Sequence, residues 1–229
     1  MKHWRSMATR GELGARHLVE DRHRIIDEGA PASHAYYLES GGIEICHEDP
    51  DGRGVVVKML VGPTMFGTIE CVAREPVFLE SARAFGPAAF FSMTQSRFLD
   101  IIRGSGEAAY ETLVDTSTAF CVAARFEHSR LYETDILLAN LLCTYAAVAG
   151  RIEDNRVRIM VPRTQPDLAE AIGAGERSVN RVLAHWKAEK WVEKVDGCYV
   201  LLRPDTLREI ASPLLGSLIH QFVEHPALT

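Results

Sequence analysis

Residues Thr164 to Lys187 read TQPDLAEAIGAGERSVNRVLAHWK and carry the clearest structural pattern in the C-terminal part of the chain. Thr164 can cap a helix that has Pro166 in its first turn and Asp167 at the capping-box distance. The segment Gly173-Ala-Gly175 ends this helix, since glycine accepts the left-handed conformation found after helix ends. A second helix is expected from Glu176. The pattern therefore predicts helix, tight turn, helix.

The second helix has two distinct faces. Val179, Val182 and Leu183 are expected to face the first helix, whereas Arg177, Ser178 and Arg181 fall on the solvent side. A helix fits the major groove of DNA, and an arginine can donate two hydrogen bonds to guanine. Arg177 and Arg181 are therefore the predicted base readers. The full set of predicted DNA contacts is Thr164, Gln165, Glu176, Arg177, Ser178, Asn180, Arg181, Lys187 and Lys194.

The residues after this helix pair predict a wing. The segment from Trp191 to Leu202 reads as two strands around the turn Asp196-Gly197, and Lys194 beside that turn is expected to contact phosphate. A winged helix-turn-helix favours DNA binding. Two alternatives stay open: a helical hairpin with solvated arginines, and a winged helix that binds protein without binding DNA.

The first half of the chain predicts a β-rich domain. Residues 23–100 read as short β-prone runs separated by turn residues, with a hairpin turn over Glu48–Gly54, which suggests a barrel or sandwich. From Gly106 to about Gly150 the periodicity becomes helical. Apolar and small side chains cover much of the stretch Glu107–His128. This helix is expected to pack against a second copy of the chain, the alternative being burial within one subunit.

Composition narrows the class of protein. The 229 residues carry a net charge of −6, but residues 151–203 hold ten Lys and Arg against eight Asp and Glu, so the acidity lies elsewhere. This local balance is compatible with DNA as a partner. The chain shows neither a signal peptide nor an apolar run of membrane-spanning length, so we expect a cytoplasmic protein without membrane contact. Five scattered cysteines predict reduced thiols and no metal cluster.

The order of these parts resembles the superfamily of the cyclic AMP receptor protein and the fumarate and nitrate reduction regulator (Crp/Fnr). Residues Gly29–Gly42 resemble its glycine-spaced strand pair, and Gly62–Gly67 the stretch that leads into its ligand pocket. The resemblance implies an α+β fold: a cyclic-nucleotide-binding-type β-roll (a double-stranded β-helix), a long dimerisation helix and a winged helix-turn-helix. The expected domains are 1–105 for the β-roll, 106–150 for the dimerisation helix and hinge, 151–211 for the DNA-binding domain, and 212–229 for an amphipathic tail helix.

The resemblance also implies where an effector would bind. Members that bind cyclic AMP place a glutamate after the Phe-Gly pair and, about ten residues later, an arginine and a serine; here Thr68 follows Phe66-Gly67, and the later positions are Phe78 and Leu79. A shift of one or two residues would bring in Glu70 or Arg83. The Thr-Ser pair that contacts adenine falls near Val122-Ala123. By position the effector pocket comprises Phe66, Gly67, Thr68, Glu70, Phe78, Leu79, Arg83, Val122 and Ala123. An anionic cyclic phosphate would lack its countercharge here, so we expect no response to cyclic AMP.

Other features of the family can be compared in the same way. No cysteine precedes Cys46, unlike in the iron-sulfur sensors, and Thr68-Ile69 stands where carbon-monoxide sensors place a haem-ligating histidine. The recognition helix has Glu176-Arg177 where many members have Arg-Glu, while the later Arg181 is retained. The usual operator of the family is therefore not assumed.

No cofactor is predicted, and three alternatives for the signal stay open: cyclic nucleotide, haem and thiol chemistry. Haem would be held by His3, His34, His47 or His128, and thiol sensing would use Cys71 or Cys121. An enzyme of the metal-binding cupin type needs a His-x-His pair that the sequence lacks, so no catalysis is expected. The expected function is transcription regulation by a homodimer on a near-palindromic operator, with RNA polymerase as a further partner and an unidentified signal or none.

Overall fold

The computed structural model describes residues 1–48, 54–129 and 132–215, and within these it describes the side chains of residues 1–47, 54–121 and 132–211. The fold is α+β, which confirms the expected class. The described residues form two compact units: Met1–Glu48 with Val57–Ala123, and the remainder. Each unit is described by itself.

The first unit is built on one antiparallel sheet. Its strand order is β1-β6-β3-β4, with β2 on β6 and β5 on β3. The strands are β1 (Ala15–Val19), β2 (Arg24–Ile26), β3 (His34–Glu48), β4 (Gly54–Val61), β5 (Thr64–Phe66) and β6 (Ser81–Thr94). The helices are α1 (Lys2–Thr9), α2 (Thr68–Ala73), α3 (Gln95–Gly104) and α4 (Gly106–Ser129). The predicted hairpin turn between β3 and β4 lies outside the described residues.

The two longest strands, β3 and β6, form the spine of this sheet. They pair from His34 opposite Thr94 to Cys46 opposite Ser81, and the register shifts around Ser40. Gly41 follows this irregularity with φ +90°, where a Cβ atom would lie 2.5 Å from the carbonyl oxygen of Pro87. Only glycine fits such a position. The glycine-spaced strand pair seen in the sequence thus has a steric cause.

The core of the first unit has two parts. One lies inside the roll around Leu38, Ile43, Phe66, Phe78 and Phe90. The other fills the space between the sheet and the helices α1 and α3, where the ring of Trp4 stacks on Phe98 with centroids 5.9 Å apart. The sequence reading missed α1 and placed α2 and α3 in a β-prone region. Trp4, Phe98 and Ile101 become buried only when these short helices cover the sheet.

The second unit carries a four-stranded antiparallel sheet with the order β7-β8-β10-β9. Its helices are α5 (Thr134–Ala149), α6 (Gln165–Ala171), α7 (Glu176–Ala188) and α8 (Pro204–Leu215). Its strands are β7 (Gly150–Glu153), β8 (Arg156–Ile159), β9 (Val192–Val195) and β10 (Cys198–Leu201). The predicted strand before Pro162 is confirmed as β8, and the predicted two-stranded wing as β9 and β10.

The structure places helix α5 in the second unit. The sequence prediction had instead assigned residues 106–150 to one dimerisation helix and hinge. Nine residues of α5 are buried, among them Leu138, Leu142 and Tyr145. The helix packs against α8, α7 and α6. A helix with apolar residues around its whole circumference is buried on several sides, so α5 belongs to the core of the second unit. Helix α8 precedes and enters the expected tail helix 212–229, whose part beyond Leu215 lies outside the described residues.

Two further facts concern the residues that the structure describes. Within residues 1–48, 54–129 and 132–215, no helix combines the length and hydropathy required to cross a bilayer. None of the five cysteines, all of which the structure describes, is in a disulfide; Cys121 is exposed and the other four are buried.

Candidate functional site

The helix pair α6 and α7 starts with the predicted capping box. The side chain of Thr164 accepts a hydrogen bond from the amide of Asp167 at 3.2 Å, and the Asp167 carboxylate accepts one from the amide of Thr164 at 2.7 Å. Gly173 then adopts φ +64° in the turn after α6. These local interactions fix the beginning and end of the first helix, which confirms the helix-turn-helix inferred from the sequence.

Helix α7 has a buried face and an exposed face. Val179, Leu183 and Trp186 are buried against the unit. On the other side, Arg177 and Arg181 lie one turn apart and are exposed, as is Lys187 near the end of the helix. None of these three cations forms an ion pair with any residue that the structure describes. Their charges are free to meet an anionic partner.

The other predicted DNA contacts fall into two groups. Thr164, Gln165, Glu176 and Lys194 are exposed, whereas Ser178 and Asn180 are only half-exposed. Asn180 has its Oδ1 atom buried without a hydrogen-bond partner among the described residues. This oxygen atom is therefore not exposed for a contact with DNA in the single chain.

The wing adds a second exposed element with a basic side chain. Asp196 and Gly197 both have positive φ, at +50° and +80°, in the turn between β9 and β10. This is the geometry of a two-residue hairpin turn, for which Asp-Gly is a preferred sequence. The ammonium of Lys194 lies 5.0 Å from the centroid of the Tyr199 ring, a cation–π distance that orders its stem.

A cleft lies in the first unit between the roll, α2 and α4. The cleft is partly open to solvent, and the empty space of about 490 Å³ in and around it includes that open part. Its lining residues are Ile26, Ile45, Lys58, Leu60, Met65, Phe66, Gly67, Thr68, Ile69, Glu70, Phe78, Glu80, Ala82, Asp115, Thr116 and Ala119. Five residues of the predicted effector pocket are thus brought together: Phe66, Gly67, Thr68, Glu70 and Phe78.

Gly67 shapes the inner wall of this cleft. It has φ +64°, and a Cβ atom there would lie 3.1 Å from the Tyr36 ring and 3.2 Å from the Phe78 ring. Tyr36 in turn stacks on Phe66 with ring centroids 4.8 Å apart. The glycine therefore allows α2 to begin directly against an aromatic wall.

The remaining residues of the predicted pocket do not line the cleft. Leu79 is half-exposed. Arg83 lies on β6, and its Nε atom donates to the Glu44 carboxylate at 2.6 Å. Val122 and Ala123 belong to α4, but their side chains lie outside the described residues. Of the two residues that a shift in alignment would bring in, Glu70 lines the cleft and Arg83 does not.

Sequence reasoning missed three charged residues of the cleft: Lys58, Glu80 and Asp115. Lys58 donates to Glu80 at 2.7 Å, and Asp115 on α4 accepts hydrogen bonds from the Thr64 hydroxyl at 2.8 Å and from the Met65 amide at 3.0 Å. Burial raises the pKa of Asp115, and these two hydrogen bonds oppose that rise. Residues two apart in extended chain face the same side, so the position of Phe78 in the predicted pocket could have indicated Glu80. No sequence signal connects Lys58 or Asp115 with the site.

Helix α4 carries a row of exposed apolar side chains. Tyr110, Leu113, Val114 and Phe120 are between 48% and 70% exposed in the single chain. Their spacing of three, four and seven residues places them on one helical face. Side chains of this size on one face indicate a surface that another molecule covers.

The residues of the alternative sensors that the structure describes are not part of the cleft lining. Burial raises the pKa of the Cys71 thiol to about 11, so this thiol stays protonated near neutral pH. His3, His34 and His47 are absent from the cleft lining, and the side chain of His128 lies outside the described residues. Among the side chains described, no group of three His, Cys, Asp or Glu residues is arranged to hold a metal ion.

The chain matches two protein-family models in the order that the structure shows. Residues 16–105 match the cyclic nucleotide-binding domain, and residues 138–210 match the Crp-like helix-turn-helix domain. The second match begins within α5, in agreement with the packing of that helix in the C-terminal unit.

Relatives found by sequence and solved structures of similar fold agree with the two family models. The CRP-like cAMP-activated global transcriptional regulator of Mycobacterium tuberculosis is 26% identical over 194 residues, covering 79% of this chain and 80% of that protein. The fold is similar to a CRP-family regulator from Thermus thermophilus, with a TM-score of 0.72, 18% identity, and coverage of 86% of this chain and 96% of that one. It is equally similar to the c-di-GMP responsive regulator CLP of Xanthomonas campestris, with a TM-score of 0.72, 16% identity, and coverage of 86% and 98%. The chain belongs to the Crp/Fnr superfamily of transcription regulators.

Proposed function

We propose that this regulator is a homodimer whose two copies of α7 read a near-palindromic DNA site. The observation that carries the proposal is the exposure of Arg177 and Arg181, one turn apart on α7, without an intramolecular ion pair among the described residues. Arginines in this position can donate in pairs to guanine in the major groove. Lys187 and the wing residue Lys194 are proposed phosphate contacts.

The proposed dimer uses the exposed apolar face of α4. Tyr110, Leu113, Val114 and Phe120 would meet the same residues of the partner across a two-fold axis, because a symmetric pair of helices covers both faces at once. A two-fold dimer places its recognition helices about 34–36 Å apart, one turn of DNA. RNA polymerase stays a partner predicted from the family alone.

We further propose that cyclic AMP is not the signal. The mycobacterial relative is cAMP-activated by name, yet in this chain Lys58 is the one cation among the described cleft residues, and it is bound to Glu80. Glu70 and Asp115 add negative charge. A cyclic phosphate would enter the cleft without a free countercharge and beside carboxylates, which disfavours its binding.

Selection from a random DNA library by the purified full-length protein tests this function. We expect enrichment of a near-palindrome whose half-sites are about one turn apart, and loss of that enrichment in Arg181→Ala. The matched control is Arg103→Ala, since Arg103 is an exposed arginine on α3 of the first unit and is not among the predicted DNA contacts. A library without enriched sequences would refute sequence-specific binding and favour a protein-interaction module. Addition of cyclic AMP should leave the affinity of the protein for the selected DNA unchanged.

A further inference from the structure

The cleft in the first unit has an apolar and aromatic body. Phe66 and Phe78 are buried in its wall, and Ile26, Ile45 and Leu60 add aliphatic surface. Tyr36 supports this wall by stacking on Phe66. Such a lining favours a ligand with apolar surface, and aromatic faces also attract cations.

The charge of the cleft is negative. Among the described lining residues, three carboxylates face one ammonium, and that ammonium is engaged: Lys58 lies 2.7 Å from Glu80, with the side chains 9% and 24% exposed. This ion pair leaves Glu70 and Asp115 without a cationic partner among the described residues. An anionic ligand would have to separate Lys58 from Glu80 before it met a positive charge.

Two buried polar side chains in the cleft have unused hydrogen-bonding capacity. Glu70 is 7% exposed, and its carboxylate accepts one long hydrogen bond, from the Leu79 amide at 3.4 Å. Thr68 is 4% exposed and its side chain forms no hydrogen bond within the described part of the chain. Buried acceptors are normally satisfied by protein, water or ligand. A buried carboxylate without a cationic partner is costly, and a bound cation would offset that cost.

A metal ion does not fit this arrangement as well as an organic cation does. The carboxylates do not converge, since no group of three metal-binding side chains forms among the described residues. Both carboxylate oxygens of Asp115 already accept hydrogen bonds from Thr64 and Met65. Separated acceptors around an aromatic wall suit an ammonium group attached to an apolar body.

We propose that this cleft binds a small organic cation, namely an ammonium compound with an aromatic or branched aliphatic body. The ammonium group donates to Glu70 and Thr68, and the apolar body packs on Phe66 and Phe78. This deepens the proposed function, because it names the ligand class of the sensory unit. Asp115 on α4 contacts both the cleft and β5, so occupancy of the cleft bears directly on the helix that carries the exposed apolar row.

The test measures binding to the full-length protein without DNA, so its outcome is independent of the DNA-binding proposal. Three probes share one skeleton and differ in charge: 3-phenylpropylamine, 3-phenylpropan-1-ol and 3-phenylpropanoate. Calorimetric titration at neutral pH should show the amine binding at least about tenfold more tightly than the carboxylate, a difference of about 1.4 kcal/mol. Cyclic AMP should behave like the carboxylate.

Two variants locate the effect, and a third is the control. Glu70→Gln should weaken amine binding about tenfold. Glu80→Gln removes the ion pair of Lys58, so it should strengthen binding of 3-phenylpropanoate. The preference for the amine over the carboxylate should then narrow or reverse. Glu75→Gln, on the exposed loop after α2, should change neither. Circular dichroism of each variant verifies that it is folded. Equal or tighter binding of the carboxylate by the native protein, an unaffected Glu70→Gln variant, or no amine binding at about 10 mM would overturn the proposal.

Discussion

Replacement of Leu113 by alanine tests whether the exposed face of α4 is a dimer interface. Leu113 is 63% exposed in the single chain. Full burial of a leucine side chain contributes about 1.5–3 kcal/mol. Alanine keeps the Cβ atom, so the rest of the part that is exposed in the single chain contributes about 1–1.5 kcal/mol per subunit when the dimer buries it. Both subunits lose it in a symmetric dimer. Leu113→Ala should therefore weaken the dimer by about 2–3 kcal/mol, or about 30- to 150-fold in Kd.

Sedimentation equilibrium over a range of protein concentrations measures this Kd. The matched control is Leu18→Ala, because Leu18 is 73% exposed but lies on β1, away from α4. Thermal unfolding of both variants checks that the fold is intact. Three results would each refute a dimer interface on α4: a wild-type protein that stays monomeric, an unchanged Kd for Leu113→Ala, or an equal loss of dimer affinity in Leu18→Ala.

The remaining predictions concern local structure. Thr164→Ala should lower the free energy of unfolding of the second unit by about 0.5–2 kcal/mol through loss of the capping box, while Thr164→Ser should retain most of it; chemical denaturation measures both. Cys71 should react slowly with iodoacetamide near neutral pH and faster as the pH approaches its raised pKa of about 11, as mass spectrometry of labelled peptides would show. Gly67→Ala should destabilise the first unit by about 1–3 kcal/mol, because alanine is strained at φ +64° and its Cβ presses on two aromatic rings; a midpoint of thermal unfolding equal to that of the native protein would contradict this.

The DNA-binding unit follows rules that act over a few residues, which is why the sequence predicted so much of it. The Thr164–Asp167 capping box, the turn at Gly173 and the Asp196-Gly197 hairpin each depend on neighbours within the same short segment. Alternation of apolar and charged residues along α7 then assigns Arg177 and Arg181 to the exposed face. Local chemistry was sufficient for these features.

The cleft depends instead on contacts between distant parts of the chain. Lys58 meets Glu80 across 22 positions, and Thr64 meets Asp115 across 51. No spacing rule connects such pairs before the sheet has formed. The resemblance to the family located Phe66, Gly67, Thr68, Glu70 and Phe78 by position, but the charged residues Lys58, Glu80 and Asp115 came only from the structure. The short helices α1 and α3 were missed for a similar reason, because tertiary packing of Trp4 and Phe98 stabilises them.

Fluorescence anisotropy at fixed salt measures the affinity of the native protein and of Arg181→Ala for the selected DNA site, and so tests whether α7 reads DNA sequence. The specific affinity should fall by about 1–3 kcal/mol per half-site in the variant, which is about 2–6 kcal/mol for the dimer, or about 30- to 20,000-fold. Binding to a scrambled duplex should change much less, because phosphate contacts from Lys187 and Lys194 remain. Equal affinity of the native protein for the selected and scrambled duplexes, or an unchanged specific affinity in Arg181→Ala, would contradict the claim that α7 reads DNA sequence.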